Sequence, residues 1–376
     1  MTGAPPFHVY IHVPFCARRC GYCDFNTYVA GPEAQRAFVR QAMAELEFAR
    51  RELGPAAREA AAVFFGGGTP TLLPAAELAE LLGAVREAFG VAPGAEITAE
   101  ANPDTVGPAY LDRLAAAGFT RLSLGMQSAV PGILATLDRT HDPAGVALAV
   151  AAARRAGLDP SVDLIYGTPG ESLADWEASV RAALDLGVDH ISAYALTLEP
   201  HTPMARRIRA GQMAGVDPDE QADKYELADG LFEAAGLRWY EISNWSRPGH
   251  ESRHNLGYWT GADWWGVGPG AHSSVGGERW WNLKAPSAYG RALAAGQPPK
   301  AGGERLDQAA EALERVMLRL RTARGLELAS LSHAARLAVP TLEADGLIQV
   351  VPPDRLALTR RGRLLADLVT RELITR

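Results

Sequence analysis

The chain has 376 residues, 47% of them hydrophobic, with 37 Lys and Arg against 44 Asp and Glu and a formal charge of −7. That length predicts one large domain plus a smaller one, and the net acidity argues against a nucleic-acid-binding surface. No apolar run is long enough to cross a bilayer, and the opening Met1-Thr-Gly-Ala-Pro-Pro6 lacks the regions of a signal peptide, so the expected location is the cytoplasm.

Phe7–Val13 is extended and apolar, and a helix follows over Pro32–Leu53. Ala61–Phe65 reads as a buried strand ending in Gly66-Gly-Gly-Thr-Pro70, with a helix over Ala75–Phe89. A strand at Glu96–Ala101 leads to a helix near Pro108–Ala117, stopped at Gly118. Strand Thr120–Leu124, helix Ala144–Ala156, strand Ser161–Tyr166, helix Leu173–Leu186 and strand His190–Leu196 continue the alternation. After a longer excursion come a helix at about Glu220–Ala235 and a strand at Arg238–Ile242. Such repeats demand a parallel sheet with right-handed crossovers. Six or seven units are too few to close an eightfold barrel. The expected fold is therefore α/β, an open or partial (β/α)6 barrel, with a doubly wound sheet as the alternative. In either, ligands gather at the carboxyl ends of the strands.

The tail differs. Short helices at Glu311–Arg321 and Leu328–Val339, a hairpin of Leu347–Val351 and Arg355–Thr359, and a last helix over Gly362–Leu373 form a winged-helix-like pattern. Winged helices often bind DNA, but the basic cluster Arg360-Arg361-Arg363 is small, and a structural or docking appendage is the stronger reading. The Gly- and Pro-rich Gly296–Glu304 is the expected linker. Residues 1–295 and 305–376 are the two expected domains.

All three cysteines, Cys16, Cys20 and Cys23, fall within eight residues. Three thiolates on one tight loop can hold three corners of an iron–sulfur cube and leave the fourth iron an exchangeable ligand. An odd number of clustered thiols does not suit a disulfide framework. Zinc is the serious rival, with His8 or His12 as a fourth ligand, but zinc knots favour paired Cys-x-x-Cys units and only one is present. The neighbouring Arg18-Arg19 either attracts an anionic partner or is simply solvated.

The Gly66–Pro70 loop lets backbone approach a ligand closely, and it is no P-loop, since no Gly-Lys-Ser/Thr follows. Glu100, Gln127, Arg139 and Asp163 then fall at or near successive strand ends. Singly, each is more often a surface or capping residue. As an ordered series they mark one site.

The cysteine spacing, with Tyr22 before the last thiol, resembles the radical S-adenosylmethionine superfamily. That resemblance implies a [4Fe–4S] cluster on Cys16, Cys20 and Cys23, S-adenosylmethionine chelating the free iron, and reductive release of a 5′-deoxyadenosyl radical. Tyr10-Ile-His-Val-Pro-Phe-Cys16, Gly66-Gly-Gly-Thr-Pro-Thr71, Arg121-Leu-Ser-Leu-Gly-Met-Gln127 and Asp163-Leu-Ile-Tyr-Gly-Thr-Pro-Gly170 resemble the oxygen-independent coproporphyrinogen III oxidase family, over roughly Phe7 to Ala271. By that resemblance Tyr10, Gly67, Gly68 and Thr69 bind the cofactor, as do Glu100, Gln127, Arg139 and Asp163, and Tyr22 stacks near the adenine.

Two features depart from the oxidases. Phe25 stands where they carry a further cysteine, and only nine residues precede Tyr10, where they have a longer segment. Both features, and the Cys23-Asp-Phe-Asn26 run, are similar to the oxidase-like branch that acts in haem chaperoning. His254-Asn-Leu-Gly-Tyr-Trp259 resembles that branch's haem-binding signature. A His offers haem iron an axial nitrogen, and aromatic neighbours offer a porphyrin flat apolar faces. Seven of the eight tryptophans fall between Trp239 and Trp281. The bland alternative is an aromatic plug with His254 hydrogen-bonded inside it. His272, in Gly268-Pro-Gly-Ala-His-Ser273, is the competing axial candidate, or else lines the S-adenosylmethionine pocket.

The resemblance thus implies a haem chaperone with a haem-accepting partner such as a respiratory enzyme, a reductant such as flavodoxin or ferredoxin, and a homodimer as one assembly. An anaerobic oxidase that decarboxylates porphyrinogen propionates is the alternative, and a zinc-bearing binding module a third.

Overall fold

The computed structural model describes residues 4–374 of the chain; Met1–Gly3, read above for a signal peptide, lie outside them. Strand β1 (Phe7–Val13) shows how the molecule is layered. Phe7, Val9, Ile11 and Val13 are at most 2% exposed and belong to the main core, while His8, Tyr10 and His12 point to the opposite face. A strand buried on both faces needs helices on one side and a filled interior on the other.

The chain then alternates through α1 (Pro32–Leu53), β2 (Ala60–Gly67), α2 (Ala75–Phe89), β3 (Val91–Ala101), α3 (Pro108–Ala117) and β4 (Arg121–Gln127). Short α4 (Pro131–Thr136) precedes α5 (Pro143–Arg155), β5 (Asp159–Tyr166), α6 (Leu173–Asp185) and β6 (His190–Ala195). Local signals set the helix ends. Pro32 opens α1, Ser172 and Asp175 form a capping box on α6, and left-handed Gly118 (φ 99°) stops α3 where the sequence places the stop. Strands β1 to β6 pair in parallel and in chain order. This is the partial (β/α)6 barrel that the strand–helix alternation implies.

Arg238–Ile242 does not become a seventh parallel strand. After α7 (Pro203–Arg209) and α8 (Pro218–Ala234), β7 (Arg238–Glu241) turns back into β8 (Asn244–Ser246), and β8 pairs antiparallel with β6. The chain crosses to the other edge through α9 (Arg253–Thr260), and β9 (Asp263–Val267) lies parallel to β1. Antiparallel β10 (His272–Val275), β11 (Glu278–Asn282) and, after α10 (Pro286–Ala294), β12 (Lys300–Arg305) extend that edge. The twelve strands run β12-β11-β10-β9-β1-β2-β3-β4-β5-β6-β8-β7, and the two ends do not pair.

The expected linker is corrected here. Its second half is strand β12, and Gly302 lies under Trp281, where a Cβ would come 2.6 Å from the indole. The glycine therefore serves close packing rather than flexibility.

The tail comprises α11 (Gln308–Leu320), β13 (Leu326–Glu327), α12 (His333–Ala344), β14 (Ile348–Val351), β15 (Arg355–Leu358), α13 (Arg360–Leu364) and α14 (Ala366–Ile374). Leu320, Leu326, Leu342, Leu356 and Val369 centre a hydrophobic cluster of its own. The expected helix over Leu328–Val339 starts later, because Ser332 caps it at the Ala335 N–H. The basic cluster is largely used internally. Arg363 donates to Asp229 of α8 at 2.8 Å and stacks over Trp239 at 3.9 Å, and Arg360 pairs with Asp229 and Glu233.

Candidate functional site

The cysteines lie on the loop between β1 and α1. Two backbone bonds close its base, Cys16 N–H to the Tyr28 carbonyl at 3.0 Å and Tyr28 N–H to the Pro14 carbonyl at 2.7 Å. All three thiols are free and half-buried, and all three line one cavity of about 620 Å³ inside the barrel. Burial pushes the Cys23 thiol up to about 11, and proximity to Cys16 and Cys20 pushes the same way. Cys16 is raised by burial and by Cys20. Three thiolates so placed repel one another unless a positive metal centre neutralises them. The donor set thus fits an iron–sulfur cluster with three protein ligands.

The end of β2 packs directly on this loop. The Gly68 N–H donates to the Val13 carbonyl at 2.8 Å and the Thr69 N–H to the Phe15 carbonyl at 2.7 Å. A Cβ on Gly68 would lie 2.3 Å from the Phe15 carbonyl oxygen, so only glycine allows the approach. Gly67, at φ 109°, turns its N–H to Glu100 Oε2 at 3.1 Å.

Glu100 and Asp163 stand on β3 and β5 inside the barrel. Burial, then repulsion from Asp163, pushes Glu100 up to about 8, against the Gly67 bond. Asp163 is likewise raised by burial and is held by Ser123 at 3.0 Å. Two carboxyls facing one enclosed space suit a cationic ligand group. Arg139 supplies the opposite charge: Nη2 donates to Asn102 Oδ1 at 2.6 Å and to the Gly125 carbonyl at 3.1 Å. Asn102 donates on to Thr69 Oγ1 at 3.4 Å, which links the Arg139 side of the cavity to the cysteine side.

Gln127, which ends β4, has φ 62°, a left-handed backbone that costs a residue with a side chain about 1–3 kcal/mol. Such strain persists where the fold over-determines it, here at the cavity wall. Tyr10 also lines the cavity, and its hydroxyl meets His12 Nδ1 at 3.1 Å. Tyr22 also lines the cavity and packs against the cluster of Ile133, Leu137 and Leu196. The cavity therefore gathers the three cysteines and every cofactor-binding candidate from Tyr10 to Asp163.

His254 reaches the same cavity from α9. It is 3% exposed, lies against the Phe64 ring at 4.9 Å and the Tyr10 ring at 6.0 Å, and bonds Tyr258 through Nε2 at 2.9 Å. Burial holds its pKa well below the usual range, so it is neutral, and Nδ1 has no partner. His272 is not part of the cavity lining. It opens β10, exposed, with its ring stacked on Trp281 at 5.9 Å. Of the clustered tryptophans, Trp245 and Trp265 are core residues at 0–1% exposure, which accounts for part of their abundance.

Three contributors escape the sequence reading. Asp138, at φ 56°, accepts bonds from the cysteine loop. Asn102 joins Arg139 to Thr69. Asn26 donates to the carbonyls of Pro269 and Lys284, both at 2.9 Å, and fastens the cysteine loop to the β9–β11 extension. Only Asn26 had a sequence signal, its place in the Cys23-Asp-Phe-Asn26 run.

Parallel β1–β6 with three cysteines after the first strand and a glycine loop after the second define a radical SAM protein, and the Radical SAM superfamily matches over residues 10–183. The chain is 51% identical to the heme chaperone HemW of Mycobacterium tuberculosis, over 98% of this chain and 95% of that one. It is 36% identical to HemW of a Synechocystis species, over 87% and 80%. The fold matches that of coproporphyrinogen III oxidase (HemN) from Escherichia coli with a TM-score of 0.84, over 99% of this chain and 91% of that one, at 23% identity. The chain belongs to the HemW family of radical SAM proteins. A radical SAM family implies a [4Fe–4S] cluster and S-adenosylmethionine. No helix among the described residues is long and apolar enough to cross a membrane.

Proposed function

We propose that this chain binds haem and delivers it to a haem-requiring acceptor in the cytoplasm, with a respiratory protein as the expected recipient. The observation that carries this reading is the 51% identity to a heme chaperone across nearly the whole chain. Cys16, Cys20 and Cys23 would hold the cluster. Glu100 and Asp163 would face the cationic groups of S-adenosylmethionine, with Gly67, Gly68 and Thr69 lining its amino-acid end. Arg139, Gln127, Tyr10 and Tyr22 would complete the enclosure. When bound, cluster and sulfonium together supply one-electron chemistry. An acidic electron donor such as flavodoxin or ferredoxin suits the exposed Arg18-Arg19 beside the cysteines.

The residues themselves perform three tasks. Gly68 and Thr69 fix the cysteine loop against β2. Glu100, raised by burial to about 8, would hold a proton until a ligand cation enters the cavity that it lines with Asp163. Phe64, Tyr10 and His254 line the cavity with stacked rings. For His254 to ligate iron, the porphyrin must enter among those rings and meet its unpartnered Nδ1.

Anaerobic incubation of the reconstituted protein with coproporphyrinogen III, S-adenosylmethionine and reductant tests the reading. The expected result is no protoporphyrinogen; its formation would make the chain an oxidase.

A further inference from the structure

We propose that the exposed rim of the cysteine loop, together with α7 and Lys284, is the docking surface for an acidic electron-transfer protein that carries a reduced flavin. This rests on the electron-donor part of the reading above and names the surface and the charge pattern of the partner; it does not depend on haem.

The local charge opposes that of the whole chain. The formal charge is −7, yet the cysteine loop (16–30) and the segment 196–212 that carries α7 together hold five arginines against two acids, Asp24 and Glu199. Folding joins the two segments. The Met204 N–H, in α7, donates to the Gly21 carbonyl at 2.9 Å, and Tyr22 packs on the hydrophobic cluster that contains Met204. Arg206 and Arg209 donate to the carbonyls of His201 and Pro200 at 2.6 and 2.8 Å, which orients both exposed guanidinium groups without neutralising them. Exposed Arg19 and Arg207 make no ion pair or side-chain hydrogen bond among the described residues. Arg18 alone of the five is paired, with Asp138. At the end of the loop, Asn26 and Tyr28 bond the Lys284 carbonyl at 2.9 and 3.0 Å, which adds a sixth exposed cation.

Two apolar side chains stand out on the same loop. Phe25 is 58% and Val29 64% exposed, large for residues of their kind. An apolar spot within a charged rim is the composition of a protein–protein interface. Phe25 also lines the cavity with Cys16, Cys20 and Cys23, so a partner seated on it stands beside the thiolates that fit a cluster. The cations select the partner: an acidic protein is drawn to this rim, and its encounter rate rises with the opposite charge. The step such a partner performs is a single electron transfer. A flavin hydroquinone becomes the semiquinone, the oxidised cluster gains that electron, and no atom changes hands.

The test is anaerobic stopped-flow mixing of the full-length, cluster-reconstituted protein with reduced flavodoxin, read by loss of iron–sulfur absorbance and rise of the flavin semiquinone, with flavodoxin affinity measured alongside. The double variant Arg19→Glu/Arg207→Glu should lower the second-order rate and the affinity by about tenfold or more at low ionic strength, and added salt should close the gap. Arg207→Glu alone, outside the cysteine loop, should give a smaller loss in the same direction. Dithionite should reduce the cluster of both variants to the same extent as wild type. Arg113→Glu, the same charge change on the exposed face of α3, serves as control and should match wild type. Wild-type rate and affinity in both rim variants, or an equal loss in Arg113→Glu, would overturn the inference while leaving the electron-donor reading intact. Anionic vesicles that bind wild type but not the rim variants, with flavodoxin kinetics unchanged, would overturn it in favour of a lipid surface. A wild-type cluster that dithionite reduces and flavodoxin does not would overturn that reading, and the inference with it.

Discussion

The Gly21 N–H donates to Asp138 Oδ2 at 3.0 Å, across 117 positions of sequence. Asp138 Oδ1 accepts from Arg18 at 2.9 Å, so one carboxylate grips the cysteine loop twice. The Arg18 side chain is 62% exposed and contributes little; the backbone bond does most. Asp138→Ala should therefore loosen the loop by about 1.5–3 kcal/mol and speed cluster loss to a chelator roughly tenfold or more. Asp138→Asn, which tolerates the left-handed backbone and keeps an acceptor, should fall between. Bleaching of the iron–sulfur absorbance under chelator measures this.

Glu100 sets a pH dependence. Its carboxyl is raised from 4.5 to about 8 in the folded chain. A raised acid favours folding while it is protonated, so this contribution to stability is lost as pH rises from about 4.5 through 8. Without cluster or S-adenosylmethionine, wild type should lose more thermal stability between pH 6 and 8.5 than Glu100→Gln. A bound cation lowers the pKa again, so S-adenosylmethionine binding near pH 7 should release protons. Calorimetry in buffers of different ionisation enthalpy checks this, and Glu100→Gln should abolish most of the release.

Gly68→Ala drives a methyl into the Phe15 backbone. Overpacking of this kind costs about 1–3 kcal/mol and here displaces the cysteine loop as well. Gly83→Ala, inside α2 with nothing within 4 Å of its added Cβ, should instead stabilise by about 0.5–1 kcal/mol. Urea unfolding of the pair separates a packed glycine from a free one.

Arg363→Ala would leave Asp229, 4% exposed, with only Trp245 and the more exposed Arg360 as partners among the described residues. The expected cost is about 1–3 kcal/mol. It should appear as earlier proteolysis between the barrel and the tail, with the cluster spectrum unchanged.

The barrel was legible because each strand carries its own signal. Phe7–Val13, Pro32–Leu53 and Ala75–Phe89 coincide with the observed elements. Gly67, Glu100 and Gln127 near strand ends and Asp163 within β5 interrupt apolar runs with functional groups, and folding brings all four to one cavity. What escaped depends on contacts distant in sequence. The Gly296–Glu304 stretch reads as flexible because glycine is; it is a strand because Trp281 covers Gly302. Asp138 looks like a turn residue beside Arg139, and only folding brings Gly21 to it. The β7–β8 return was missed since local pattern cannot distinguish a seventh parallel strand from an antiparallel one.

The most direct measurement follows haem transfer. The cluster-reconstituted chain, loaded with one haem and freed of excess, is mixed anaerobically with an apo haem-requiring acceptor, and both Soret bands are recorded. The account predicts that haem leaves this chain and appears in the acceptor. Haem that stays bound, or a chain that never retains haem, would contradict it.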